Sequence, residues 1–202
     1  MTRSEYYAQL KALAREVRAT HHLTTPRVTL TDLRKIYKAY GIRIDYWPHK
    51  LKNMRGAYFN DDLGAHVMIA KHLPTEQRIF TLAHELKHHV SHDSPADTED
   101  TKEVQEIGAE IFAAELIFPE GDFIAVLKAM GVEEGACTAE TIVRLKHDTN
   151  TTLSYTSLAK RAEFLGFAPK GSLAKVRWHS IRDSIYGEPI YKRLQRERKV
   201  QI

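Results

Sequence analysis

The chain of 202 residues contains a single cysteine, Cys137, and this scarcity limits what kind of protein it encodes. No disulfide can form within the chain, and no second thiol is present to share a metal, so we expect a reducing compartment. No stretch approaches the ~20 apolar residues that a membrane-spanning helix needs. The first residues also lack the apolar core of a signal peptide. The sequence therefore predicts a cytoplasmic protein without a membrane segment.

The sequence also lacks internal repeats and low-complexity segments, whereas 43% of its residues are apolar, which is enough for a real core. Its net charge of +4 is unevenly distributed. Residues 93–134 carry twelve acids and two lysines, and residues 170–202 carry nine bases and three acids. We interpret the second segment as a solvated basic tail, with contact to nucleic acid or to a partner as the alternative.

Apolar periodicity predicts a mostly helical α+β fold with a small antiparallel sheet. Strands are expected at residues 42–46, 56–60 and 66–70. Separate helices are predicted near the amino terminus, over residues 31–40, in the segment that begins at Pro74, and over residues 101–117, 123–130, 138–147 and 154–165. The last two helices flank a polar turn at residues 148–152, an arrangement that looks like a helix-turn-helix.

The segment His84-Glu85-Leu86-Lys87-His88 has the HExxH pattern within one of these amphipathic helices. Spacing of four residues puts both imidazoles on one helical face, one turn apart, where they can bind a single zinc ion. Glu85 projects about 100° away around the helix axis and can lean towards a metal-bound water. The pattern therefore predicts two metal ligands and a general base.

A catalytic zinc site normally has a third protein ligand, which must come from another element. His92 lies about 12 Å from His84 along the helix, too far to share an ion with it. Serines at positions 91 and 94 exclude the longer HExxHxxGxxH signature. We predict Glu106 of the following helix as the ligand, with Glu103 and Glu110 as reserves. The alternative is that these three glutamates form a solvated acidic face.

The segments Arg78–His88 and Glu106–Pro119 together resemble the ImmA/IrrE family of metallopeptidases. The family pattern is HExxH followed by a glutamate and AxxFAxxLL-P, and the spacing agrees. Residues 56–70 resemble the two strands that precede the motif helix in that family, and residues 152–166 resemble its later helical segment. Two positions depart from the pattern, because Gly108 replaces a helix former and Glu110 replaces an asparagine.

The resemblance implies a zincin-like peptidase core in which His84, His88 and Glu106 bind Zn²⁺ and Glu85 activates water. It also implies a cytosolic endopeptidase that cleaves a helix-turn-helix repressor in a stress response or in the regulation of a mobile element. We expect a metallopeptidase domain at residues 1–136, a helix-turn-helix-like segment at 137–169 and the basic tail at 170–202.

Two other functions remain open. The chain could be a regulatory module that binds DNA or a partner without catalysis, with the metal structural or absent. In that case the bases of the two later helices would meet phosphates: Arg144, Lys146, Lys160 and Arg161. The chain could also be one component of a toxin–antitoxin pair, since members of the family occur in such contexts. Glu85 distinguishes a hydrolase from a binding module, because a binding module does not need a carboxylate beside two helical histidines.

Overall fold

The computed structural model describes residues 2–48, 54–91 and 102–188. The chain forms two compact units, Met1–Ile124 with Thr149–Ser154 and Ala125–Asp148 with Tyr155–Ile202. The elements in chain order are α1 (Arg3–Thr20), α2 (Leu30–Ala39), β1 (Arg43–Trp47), β2 (Gly56–Asp61), β3 (Gly64–Ala70), α3 (Thr75–Val90), α4 (Lys102–Ile117), α5 (Glu120–Ala129), α6 (Ala139–Thr149), α7 (Tyr155–Phe164) and α8 (Trp178–Tyr186). The predicted mostly helical α+β fold is confirmed.

The three strands form one sheet in the order β1-β3-β2, which differs in one pairing from the expected antiparallel sheet. Strands β2 and β3 form the antiparallel hairpin, but β1 pairs with β3 in parallel. Val67 and Ile69 of β3 are fully buried, so the most apolar strand takes the centre of the sheet. Strands with more polar residues take the edges, where unpaired backbone groups can meet water.

Helix α3 is the centre of the first unit, since it contacts α2, α4, β2 and β3. Its buried stripe includes Ile79, Leu82 and Leu86, and α4 presents Ala109 and Ala113 among its buried residues. Small side chains on α4 allow the two helix backbones to approach closely. The apolar stripe predicted for the motif helix thus docks it on the core.

Helix α1 also packs against α4 and explains the glycine at position 108. A Cβ atom on Gly108 would lie 2.7 Å from Cδ1 of Leu10 and 3.1 Å from the Tyr6 ring. The guanidinium of Arg18 donates hydrogen bonds to the carbonyls of Leu116 and Ile117, at 2.7 and 3.2 Å. These carbonyls lie in the last turn of α4, where no helical N–H is available to them. Helix α1 therefore both covers α4 and caps its end.

The second unit contains α7, α8 and most of α6, and aromatic pairs lie on its surface. Tyr155 stacks on Trp178 with 5.5 Å between the ring centroids, and His147 stacks on Tyr186 at 4.0 Å. Trp178 and Tyr186 belong to α8, a helix that the periodicity analysis did not predict. The basic tail expected to be solvated thus contains a helix, and its residues 189–202 lie outside the described residues.

Among the described residues, no helix combines the length and the apolar character needed to cross a membrane. Residues 93–100, the first part of the acid-rich segment, lie outside the described part of the chain.

Candidate metal centre

Helix α3 presents its two motif histidines side by side, as their spacing predicts. The ring centroids of His84 and His88 are 5.5 Å apart, with 62° between the ring planes. Neither ring belongs to the buried stripe of the helix. Both rings therefore lie together beside the buried stripe of α3.

Helix α4 brings Glu106 to the same place from eighteen residues further along the chain. Its Oε2 atom lies 3.2 Å from Nε2 of His84, and one ligand atom from each of His84, His88 and Glu106 lies within 4.8 Å of the others. Among the described residues, the grouping contains neither Glu103 nor Glu110. Of the glutamates considered from the sequence, the geometry therefore favours Glu106, and its role as a ligand stays a prediction.

The donor set fits a zinc ion in its chemistry and in its spacing. Bonds of about 2.0–2.1 Å to nitrogen and carboxylate oxygen place tetrahedral ligand atoms about 3.3 Å apart. The separation of 3.2 Å between His84 and Glu106 matches this edge. Glu106 is half exposed, with 51% of its side chain accessible. Its side chain therefore has room to move towards an ion held by the two histidines.

Burial shifts the pKa of His84 below its usual value, and the nearby carboxylates of Glu106 and Glu110 partly oppose this shift. The desolvation effect is the larger one because the imidazole side chain is only 16% exposed. A lowered pKa keeps the ring neutral near pH 7, and the neutral ring is the form that binds a metal ion. Glu110 thus affects the site through its charge.

Glu85 lies beside the grouping and is nearly enclosed, with 6% of its surface exposed. Burial raises its pKa to about 7, with a smaller contribution from the negative charge of Glu106. A hydrogen bond from the backbone N–H of Tyr58 acts in the opposite direction, because it stabilises the carboxylate. A carboxylate with a pKa near 7 is well matched to removing and returning a proton at neutral pH.

Sequence reasoning missed the contribution of strand β2 to this site. A Cβ atom on Gly56 would lie 2.6 Å from Cγ2 of Thr81 and 3.0 Å from Oε1 of Glu85. Only glycine lets the strand pass so close to α3, and this approach brings the N–H of Tyr58 to Glu85. A glycine opening a predicted strand just before the motif helix was the available signal.

Three side chains with a donor that an oxyanion could use, Tyr58, His89 and Tyr155, make other contacts. The hydroxyl of Tyr58 and Nδ1 of His89 form a hydrogen bond of 3.0 Å, and the His89 ring also packs against Tyr40. Tyr155 stacks on Trp178 in the second unit. At the end of α3, the hydroxyl of Ser91 donates to the carbonyl of Lys87 at 2.8 Å. The excluded candidate His92, and Ser94, lie outside the described residues.

Comparison with known proteins identifies the fold. No curated protein shows a significant match to this chain. A solved structure of a Mycobacterium tuberculosis transcriptional regulator is similar with a TM-score of 0.55 and 15% identity. The match covers 84% of this chain and 52% of the regulator, so the chain spans about half the length of that structure. At this identity the similarity shows a shared fold.

The profile of a peptidase family described as the IrrE N-terminal-like domain (peptidase M78) matches residues 37–161, more than half of the chain. The matched segment includes α3 with its HExxH motif and α4 with Glu106. The resemblance noted from these two helices is confirmed. The chain belongs to the IrrE N-terminal-like peptidase family.

Proposed function

We propose that the protein is a zinc-dependent endopeptidase in which His84, His88 and Glu106 hold the metal and Glu85 is the general base. The observation that carries this proposal is the meeting of three ligand atoms within 4.8 Å beside a buried carboxylate. The two histidines and Glu106 lie on different helices, so the fold brings them together. A group whose role was only to form ion pairs would not need two histidines one helical turn apart, whereas a metal site does.

Bound zinc would acidify a water molecule and polarise the carbonyl of a peptide substrate. Glu85 is placed to accept the proton from that water and to pass it to the leaving amine. Its bond from the N–H of Tyr58 fixes the orientation of the carboxylate. Burial raises the pKa of Glu85 to about 7, which suits this carboxylate to accept a proton and to return it.

We propose a helix-turn-helix repressor as the substrate. Two observations support a partner of this kind. The structurally similar protein is named a transcriptional regulator, and the acid-rich segment 93–134 would attract a basic DNA-binding protein. Cleavage of such a repressor would release genes in a stress response or on a mobile element. A cytoplasmic location, which this role requires, remains a prediction from the cysteine content.

Metal analysis of the purified protein tests the ligand set. We expect about one zinc ion per chain, and a loss of affinity of about tenfold or more for His84→Ala, His88→Ala or Glu106→Gln, because two remaining ligands hold zinc poorly. Glu103→Gln and Glu110→Gln are matched controls on the same helix, and His72→Ala is a control at an exposed histidine. If Glu110→Gln lost zinc while Glu106→Gln retained it, the assignment of the third ligand would be wrong.

Cleavage assays with candidate helix-turn-helix repressors from the same genome test the catalytic role. Glu85→Gln should retain zinc and lose at least about a hundredfold in rate, since general acid–base catalysis contributes roughly 10²–10⁴-fold. Zinc content measured on the same sample separates loss of the base from loss of the metal. Undiminished cleavage by the Glu85→Gln protein would remove Glu85 from the mechanism.

A regulatory module without catalysis is the second candidate, favoured by the name of the structurally similar protein. In that case α6 and α7 would contact DNA or a partner, as the helix-turn-helix pattern predicts. Glu85→Gln would then leave every measurable function intact, whereas substitutions of the bases on α6 and α7 would abolish binding. A role in a toxin–antitoxin pair also remains a prediction, which the effect of expression on cell growth would test.

A further inference from the structure

In the described part of the chain, β1 pairs with β3 alone, so its other edge presents backbone groups that no described strand uses. The carbonyl of Trp47 accepts a hydrogen bond of 2.9 Å from the N–H of Lys71, which follows β3. Backbone groups of alternate residues point to the same side of a strand in a parallel pair. Those of Arg43 and Asp45 therefore also face β3, and those of Ile44 and Tyr46 face the open edge.

A groove of about 450 Å³ runs along this edge, between β1 and helix α2. Its described lining includes Ile44 and Tyr46 from the strand, and its charged members are all cationic: Arg34, Lys38 and Arg43. The Tyr46 side chain is 39% exposed, which shows that this end of the strand is accessible. The groove therefore combines a free strand edge with a basic wall.

The three cations are arranged so that positive charge remains available to a ligand. Arg43 is paired with Asp45 at 3.0 Å, and both side chains are about half exposed. Arg34 donates to the neutral hydroxyl of Tyr46 at 3.1 Å, so this contact leaves its charge uncompensated. Lys38 is exposed on the same face of α2, one turn from Arg34. Arg34 and Lys38 would thus attract a negatively charged partner.

We propose that this groove binds an extended acidic segment of a partner protein, which adds to the sheet as a fourth strand beside β1. The N–H and C=O groups of Ile44 and Tyr46 would pair with the backbone of the segment. Acidic side chains at alternate positions of that segment would all point to one side, where Arg34 and Lys38 lie. Charge complementarity thus selects the partner, and the strand edge selects its extended form.

The proposal favours a peptide over a nucleic acid because the strand edge offers backbone N–H and C=O groups, which pair with the backbone of another peptide. It also places a binding surface away from the metal ligands, which lie on α3 and α4. It does not depend on peptidase activity.

Fluorescence anisotropy with the full-length chain tests the proposal. The probe is a fluorescein-labelled decapeptide of alternating glutamate and valine, compared with a lysine–valine peptide and with labelled single- and double-stranded DNA. We expect the glutamate peptide to bind and Lys38→Glu to weaken it about tenfold, because interfacial charge contributes strongly to specificity. Lys35→Glu makes the same charge change on the same helix outside the groove. We expect this control to change peptide affinity by less than about twofold.

Amide hydrogen exchange adds a measurement that needs no substitution. Peptide binding should slow exchange at the N–H groups of Ile44 and Tyr46 relative to the free protein, while Asp45, already paired with β3, should change little.

Three results would each overturn the proposal: equal weakening by Lys35→Glu and Lys38→Glu, equal binding of the lysine peptide, or unchanged exchange at Ile44 and Tyr46. Tighter binding of DNA that is lost in Lys38→Glu would identify a nucleic-acid surface, and a concentration-dependent dimer protecting the same amides would identify a second copy of this chain as the occupant.

Discussion

The two edges of the three-stranded sheet are used in opposite ways. At the β2 edge, the strand passes against α3 so closely that position 56 admits only glycine, and the N–H of Tyr58 is bonded to Glu85. At the β1 edge, the corresponding groups of Ile44 and Tyr46 face a groove. One edge is therefore built into the proposed catalytic site and the other is open for binding. Because both strands are edges of the same sheet, the difference comes from what lies beside each one: α3 packs against β2, and the groove lies beside β1.

Tyr58 and Tyr46 allow a matched proline substitution, because both are tyrosines whose N–H groups point away from β3. Tyr58→Pro should lower the free energy of unfolding by about 3 kcal/mol, since it removes a hydrogen bond to a buried carboxylate and leaves that group unsatisfied. Tyr46→Pro should cost less, because proline is tolerated on an edge strand when its missing N–H faces solvent. Urea denaturation measures both. Equal losses would contradict the distinction between the two edges.

Gly56→Ala should cost about 2 kcal/mol, because the added methyl group overpacks the contact with Thr81 and Glu85. It should also displace Glu85, so any cleavage rate should fall with zinc content unchanged. Gly121→Ala is the matched control, since a Cβ atom there meets nothing within 4 Å. That control, in helix α5, should gain up to about 1 kcal/mol. A Gly56→Ala protein as stable as the wild type would show that β2 can move away from α3 without loss.

A pair of hydroxyl deletions has a smaller expected effect. Tyr58→Phe removes the half-buried hydrogen bond to His89 and should cost about 1 kcal/mol. Tyr46→Phe removes an exposed hydrogen bond from Arg34 and should change stability by less than about 0.5 kcal/mol. Thermal denaturation of the two variants side by side gives the comparison. A larger loss for Tyr46→Phe would mean that the β1 edge is more tightly organised than its exposure indicates.

The smallest expected effect is at the ion pair on the open edge. Asp45→Asn breaks its contact with Arg43, in which both side chains are about half exposed, and should change the free energy of unfolding by less than about 0.5 kcal/mol. The same substitution should strengthen binding of the glutamate–valine peptide, because it frees the charge of Arg43. Weaker peptide binding by Asp45→Asn would argue against charge attraction in the groove.

Local features of the chain were predictable from the sequence, whereas contacts between distant segments were not. Spacing alone identified the paired histidines and the adjacent Glu85, because a helix fixes which residues share a face. Glu106 was predicted ahead of Glu103 and Glu110, and the geometry brings it to His84. The sheet order was missed because alternation of apolar residues predicts the faces of a strand and does not predict its neighbours. For the same reason, the bond from Tyr58 to Glu85 could not be deduced, although the glycine that opens β2 was a signal of a close contact.

The cap that α1 places on α4 has a consequence for the modularity of the family. The family segment begins at residue 37 and contains both motif helices, yet the guanidinium that holds the last turn of α4 belongs to Arg18. A fragment starting at residue 37 would keep every proposed ligand and lose the contacts of Arg18 with the last turn of α4. The folded unit that holds the two motif helices therefore extends beyond the family segment and includes α1.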